Sequence, residues 1–150
     1  MRPRIEAAVA AGRRAGVPLV VNARVDVYIN SLGDPEGRLD ESLRRAEKYL
    51  AAGADCIFVP AVGDRETIAA LARGIEGPLN VLATAETPST AELRELGVAR
   101  VSVGSGLFHA TLPLVEQAAR DVLERGSFEF LAGASAFPDV QALLRAESQG

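Results

Sequence analysis

The chain is 150 residues long, 48% hydrophobic and 24% charged, which is enough for one globular domain with a real core. A net charge of −4 without any basic run argues against nucleic acid as a partner, and no apolar stretch has the length of a membrane span. One cysteine and one histidine exclude an internal disulfide and a zinc cluster, and the lone thiol suits a cytoplasmic setting.

The opening Met1-Arg2-Pro3-Arg4 lacks the apolar core of a secretory signal. Ile5, Ala8 and Val9 then recur at helical spacing, and the helix they predict over residues 5–15 stops at Gly16. Pro18 opens a first strand that ends near Asp26. Within it Asn22, Arg24 and Asp26 share one parity while Val21, Ala23 and Val25 share the other, so one face is polar and one apolar. Leu19 to Val21 are apolar without a break, as in a strand covered on both sides. An arginine at the end of such a strand needs an anionic partner. That partner is either a carboxylate in an ion pair, Asp26 or one on a neighbouring loop, or a bound anion at the carboxyl end of a parallel strand, where α/β sites are built.

Residues 27–40 carry turn chemistry throughout, from Asn30-Ser31 to Gly33-Asp34-Pro35-Glu36-Gly37. Asp40 reads as the N-cap of a second helix with Leu43, Ala46 and Leu50 on one stripe, closed by Gly53. Lys48, the only lysine, falls on the solvent side of that helix, which excludes Schiff-base chemistry on a buried lysine. Residues 54–60 form a second buried strand. Asp64-Arg65-Glu66-Thr67 starts a third helix with Ile68, Leu71 and Ala72 inward, and residues 78–83 form a third strand, on which Asn80 and Thr84 share parity. Ser89 and Glu92 make a capping box for a fourth helix ending at Gly97.

Residues 99–103 are the fourth strand, and Gly104-Ser105-Gly106 turns it into a helix over 107–123. Free amides at a helix N-terminus after such a turn can meet a phosphate or carboxylate, although glycines also serve any tight turn. After Gly126 the tail holds Phe128, Phe130, a break at Gly133-Ala134-Ser135 and a short helix over 138–145. Helix and strand thus alternate four times, the pattern of an α/β fold with a parallel sheet.

The motifs Val21-Asn22-Ala23-Arg24-Val25-Asp26, Ala52-Gly53-Ala54-Asp55-Cys56-Ile57-Phe58-Val59-Pro60, Pro78-Leu79-Asn80-Val81-Leu82-Ala83, Glu92-Leu93-Arg94-Glu95-Leu96-Gly97-Val98 and Arg100-Val101-Ser102-Val103-Gly104-Ser105 are each weak alone. In this order, with these gaps, the chain resembles the isocitrate lyase/phosphoenolpyruvate mutase superfamily, in its short methylisocitrate lyase and carboxyphosphonoenolpyruvate mutase-like branch. The resemblance implies the C-terminal half of a (β/α)8 TIM barrel. Residues 1–150 would be a single partial domain, with the half-barrel over 1–126 and a C-terminal tail helix over 127–150. Complete relatives are magnesium-dependent lyases and mutases that make or break C–C or P–C bonds in 2-oxo or enolpyruvate-like acids. Their acidic magnesium cluster, and a loop with a basic residue and catalytic cysteine, would fall before Met1. The resemblance therefore implies no metal ligand in this chain, which reads as an inactive fragment: a truncated product, a misplaced start or a decayed copy.

By the same resemblance Arg24 meets a substrate carboxylate or developing enolate, with Val25 standing where a threonine is usual. Asn22, Asn80, Thr84, Gly104 and Ser105 complete the expected substrate contacts. Cys56 matches a strand position rather than the loop cysteine and is read as core, and His109 is given no role. Phe58-Val59-Pro60 replaces the Phe-Pro-Glu run of carbon–carbon lyases, which leaves the substrate open beyond a small carboxylate. A homo-oligomer is expected. Two alternatives stand beside this reading: a non-catalytic half-barrel that pairs its sheet edges, and a phosphate-binding flavodoxin-like domain.

Overall fold

Helix and strand alternate as the periodicity predicts. The computed structural model describes residues 1–146. The chain divides into two compact units, Met1–Gly106 and a second that begins at Leu107. The first contains α1 (Arg2–Ala15), β1 (Asn22–Arg24), α2 (Arg38–Ala51), β2 (Cys56–Val59), α3 (Arg65–Gly74), β3 (Leu79–Leu82), α4 (Thr90–Glu95) and β4 (Arg100–Ser102). All strands pair in parallel in the order β1-β2-β3-β4. That sequential order, with no strand reversed into the middle, is the order of barrel strands and departs from the flavodoxin-like arrangement.

Local chemistry sets the helix ends. Gly16 takes the left-handed conformation (φ 66°) and its N–H closes the last turn of α1. Asp64 caps α3 by accepting from Thr67 N–H at 2.8 Å. Ser89 and Glu92 form the reciprocal capping box of α4. Asp40 is not a cap. The 3-10 turn Pro35–Gly37 runs directly into α2, so the helix starts at Arg38 and Asp40 lies in its first turn, where its charge favours the helix dipole. Lys48 is exposed, as its helical phase predicts.

The core lies on one side of the sheet. Ala23, Val25, Ile57, Val59, Leu79 and Val81 meet Ile68, Leu71 and Leu93 from the helices, and none is more than 5% exposed. The helix layer packs α1 on α2 and α2 on α3, with α2 over β2 and α3 over β3. Leu19 and Val20 depart from the expectation of a strand covered on both sides, being 49% and 74% exposed. They precede the paired segment of β1, and β1 is an edge of the sheet. At that end Asp55 anchors the strands, its carboxylate accepting from Val21 N–H at 2.7 Å while its own N–H bonds Val21 O.

The helix α5 (Gly106–Arg120), all but its first residue in the second unit, continues into a wider helical turn at Asp121–Arg125, and Gly126 (φ 63°) ends it. A 3-10 turn (Glu129–Gly133) and α6 (Phe137–Ala146) follow. Residues 147–150 of the expected tail lie outside the described residues.

Candidate functional site

The strand register decides which side chains share a face. Asn22 aligns with Cys56, Arg24 with Phe58, Phe58 with Asn80, and Asn80 with Arg100. These residues, with Leu82 and Ser102 two positions further along their strands, project from the face opposite the apolar core. One row across the sheet therefore reads Arg24, Phe58, Asn80, Arg100.

At the carboxyl ends of the strands this face forms an open cavity of about 490 Å3, with Arg24, Phe58, Pro60, Leu82, Arg100, Ser102 and Gly104 among its lining residues. Phe58, Pro60 and Leu82 give it apolar walls. Ala61, one residue past Pro60, adopts φ 63°, a conformation rare for a residue with a Cβ. Gly104 (φ 52°) turns β4 toward the following helix, and a Cβ there would sit 3.3 Å from Leu82 Cδ1.

Arg24 is the last residue of β1. Its Nε donates to Asp26 Oδ1 at 2.5 Å, so the ion pair considered from the sequence forms. The same guanidinium lines the cavity, and the two readings are compatible. Asp26 engages Nε and leaves the two terminal nitrogens, whose parallel N–H groups match a carboxylate.

Asn80 is fully buried, and its Oδ1 accepts from Ser102 Oγ at 3.1 Å. Its Nδ2, and Asn22 Oδ1, are buried without a partner among the described residues. Asn80 thus offers unused donor capacity on the same face. Cys56 is 7% exposed, and burial pushes its thiol above the usual range despite the opposing influence of Arg100. A thiol so held is not a ready nucleophile, in keeping with its reading as core.

Thr84 is exposed on the loop after β3, and its N–H donates to Thr87 Oγ1 at 2.8 Å. Its hydroxyl lies 3.2 Å from Thr87 Oγ1 and bonds Glu86, whose carboxyl it helps hold below the usual range. Thr84 therefore organises this loop and is not among the cavity lining, nor is Ser105. Arg24 and Gly104 are brought together. Sequence reasoning passed over Arg100 and Ser102, yet the signal was present: both are polar residues alternating with Ala99, Val101 and Val103, as Asn22 and Arg24 alternate on β1.

Among the described residues no cluster of three or more His, Cys, Asp or Glu side chains could hold a metal ion, and no helix is long and apolar enough to cross a membrane.

The family profile described as phosphoenolpyruvate phosphomutase matches residues 1–123. An uncharacterised protein of Mycobacterium tuberculosis is 43% identical over 103 residues, covering 68% of this chain and 38% of that protein. The 2-methylisocitrate lyase of Aeropyrum pernix is 32% identical over 113 residues, covering 71% of this chain and 37% of the enzyme. Among solved structures, a candidate lyase/mutase from Burkholderia cenocepacia J2315 superposes with a TM-score of 0.81 at 34% identity, over 96% of this chain and 51% of that one. A 2,3-dimethylmalate lyase gives 0.74 at 27% identity (96% and 49% covered). Phosphonopyruvate hydrolase, in complex with oxalate and magnesium, gives 0.73 at 26% (98% and 52%). The chain spans about half the length of these structures and less than two fifths of the two sequence relatives.

Proposed function

The chain belongs to the phosphoenolpyruvate phosphomutase family, and from that premise we propose that it supplies the carboxylate-anchoring part of a barrel active site. The ligand is a small 2-oxo or enolpyruvate-like acid. Arg24 binds its carboxylate through the two terminal guanidinium nitrogens and stabilises negative charge that develops on an adjacent enolate oxygen. Asp26 is a positioning residue that fixes the guanidinium plane. Phe58, Pro60 and Leu82 limit water around the ion pair, while Gly104 lines the same cavity and Asn22 and Asn80, on the same face of the sheet, are further proposed contacts. The observation that carries the reading is the guanidinium at the carboxyl end of β1, lining the cavity with its terminal nitrogens unused by Asp26.

Phosphonopyruvate hydrolase is seen in complex with oxalate and magnesium, but the groups on this face do not fit a divalent cation. They are guanidinium, amide and hydroxyl groups, and the nearby carboxylate of Asp26 is already paired. The chain by itself is proposed to have negligible turnover. Magnesium-dependent cleavage of oxaloacetate or methylisocitrate by the purified chain would overturn that statement. Calorimetric titration with oxalate tests the anchor. Saturable binding is expected, weakened about tenfold or more in Arg24→Gln, as loss of a charge-assisted contact implies. Unchanged affinity removes Arg24 from the site.

A second reading has its own support: β1 and β4 each have a single neighbour in the described sheet, so unpaired parallel edges are available for pairing. We propose assembly into a homo-oligomer through these edges, in a cytoplasmic setting consistent with one buried free cysteine. Sedimentation across a range of concentrations checks it, and a monomer at every concentration counts against it.

A further inference from the structure

Away from the cavity that holds Arg24, the helix layer carries two surface features of opposite charge. The first is a groove of about 430 Å3 between α2 and the end of α3. Leu43, Leu50 and Ile75 give it apolar walls, and Glu47 and Glu76 stand among its lining. A Cβ at Gly74 would sit 2.8 Å from Leu43 Cδ1, and one at Gly77 2.9 Å from Leu50 Cδ2, so the two glycines keep the leucine walls in place. Arg44 also lines the groove, but Glu41 pairs with it, whereas Glu47 and Glu76 make no ion pair with any described residue. Lys48 and Arg73, the cations in the last turns of α2 and α3, are outside the lining. The last carbonyls of both helices add negative partial charge at this end. Such a groove suits an apolar group that carries a positive charge.

The end of α1 offers that chemistry. Arg13 and Arg14 occupy its last turn, exposed and without an ion pair among the described residues. Val17, Leu19 and Val20 follow, each exposed. Residues 13–20 are thus a basic and apolar segment on the other side of α2 from the groove. Ala51 lines both the groove and a cavity of about 490 Å3 beside Arg13 and Arg14. Asp55 ties Val21 to the sheet, so the segment cannot cross α2 into the groove of its own chain.

We propose that the groove between α2 and α3 docks residues 13–20 of a second copy of this chain, the arginines on the carboxylates and the exposed apolar side chains on the leucine walls. A two-fold axis along α2 makes the contact reciprocal, each copy giving its segment and receiving the other. The contact leaves the Arg24 cavity and both sheet edges free, so it is separate from ligand binding and from edge pairing. Helices of 14 residues are about 21 Å long, and three packed side by side span about 18 Å between outer axes. That face is small against the roughly 800 Å2 per partner of a stable complex, so the dimer is reversible and sensitive to salt.

Sedimentation equilibrium of the full chain, with paired charge reversals, tests this. Wild type is expected to dimerise reversibly, and less as salt rises. Glu47→Arg with Glu76→Arg, and Arg13→Glu with Arg14→Glu, should each weaken self-association about tenfold or more. An equimolar mixture of the two double variants should recover wild-type affinity, because each reversed surface then meets its complement. All four residues are exposed, and unchanged circular dichroism and melting temperature show that the variants are folded. Should a reversal unfold the chain, Glu47→Gln with Glu76→Gln removes the attraction without adding repulsion and is read in the same way. Edge pairing predicts that neither double variant changes association, and that result overturns the proposal. So do a wild type that stays monomeric at every concentration and a mixture that recovers nothing.

Discussion

The two faces of the sheet are built from alternate residues of the same four strands, yet they have opposite physics. On one face Ala23, Val25, Ile57, Val59, Leu79 and Val81 are sealed beneath the helices. On the other Arg24 and Arg100 are exposed, Phe58 and Leu82 are half-buried, and Asn80 keeps a donor unused. A side chain on the first face contributes through area removed from water, and one on the second through a charge kept available. Stability and recognition should therefore separate by parity. Substitution of Ile57, fully buried in the middle of the core, is the strongest test. Ile57→Ala is expected to cost about 2–5 kcal/mol by urea unfolding, with the affinity of the folded fraction for oxalate unchanged. A cost below about 1 kcal/mol would mean that the sealed face does not carry stability as its burial implies.

The next largest effect tests whether stability also depends on the loops at the cavity end of the strands. Asp64 lies in the loop that follows Pro60, and its carboxylate accepts the α3 N–H of Thr67. Asp64→Ala should cost about 1 kcal/mol, read as a lower urea midpoint at constant slope. Asp64→Asn, which keeps an accepting oxygen, should recover most of it. No recovery would show that charge, rather than the cap bond, carries the effect.

Such local devices were legible in the sequence because they are written within a few residues. Ser89 and Glu92 stand three apart, and Gly16, Gly53 and Gly97 follow their helices in positive-φ conformations. The apolar parity of β1 likewise predicted its core face. What escaped depends on contacts distant in sequence. Asp40 looked like a cap because the 3-10 turn before it leaves no local mark that the helix has already begun. The exposure of Leu19 and Val20 follows from β1 being an edge, a property of sheet order. Arg100 was readable as polar, but its presence in one row with Arg24 needs the register of three strand pairs. Thr84 had the right parity, and its use in a loop with Thr87 and Glu86 is set beyond the strand, where parity no longer applies.

A smaller effect concerns pH. The Glu92 carboxyl is held below its usual range, first by the Ser89 hydroxyl and backbone N–H and then by the nearby Arg65 guanidinium. A depressed folded-state pKa means that the unfolded chain takes up a proton first. The contribution is thus fully present above the unfolded value of about 4.3 and is lost as pH falls through the lower folded value. The difference in unfolding midpoint between wild type and Glu92→Gln should therefore be larger at neutral pH and shrink in acid. A difference that stays constant across that range would place the pH dependence on other groups.

The smallest expected change in stability belongs to the residue proposed to anchor the ligand. Arg24 is paired with Asp26, but its side chain is 55% exposed, and an ion pair in that setting contributes little against solvent and side-chain entropy. Arg24→Gln should shift unfolding by no more than about 0.5 kcal/mol while weakening oxalate, in contrast to Ile57→Ala. Asp26→Asn sharpens the point. If Asp26 positions the guanidinium, its loss should weaken oxalate binding despite removing a negative charge from the neighbourhood of an anion. If Asp26 only neutralises Arg24, the same substitution should strengthen binding. The sign of that one change decides whether the ion pair at the end of β1 is part of the site or a competitor for it.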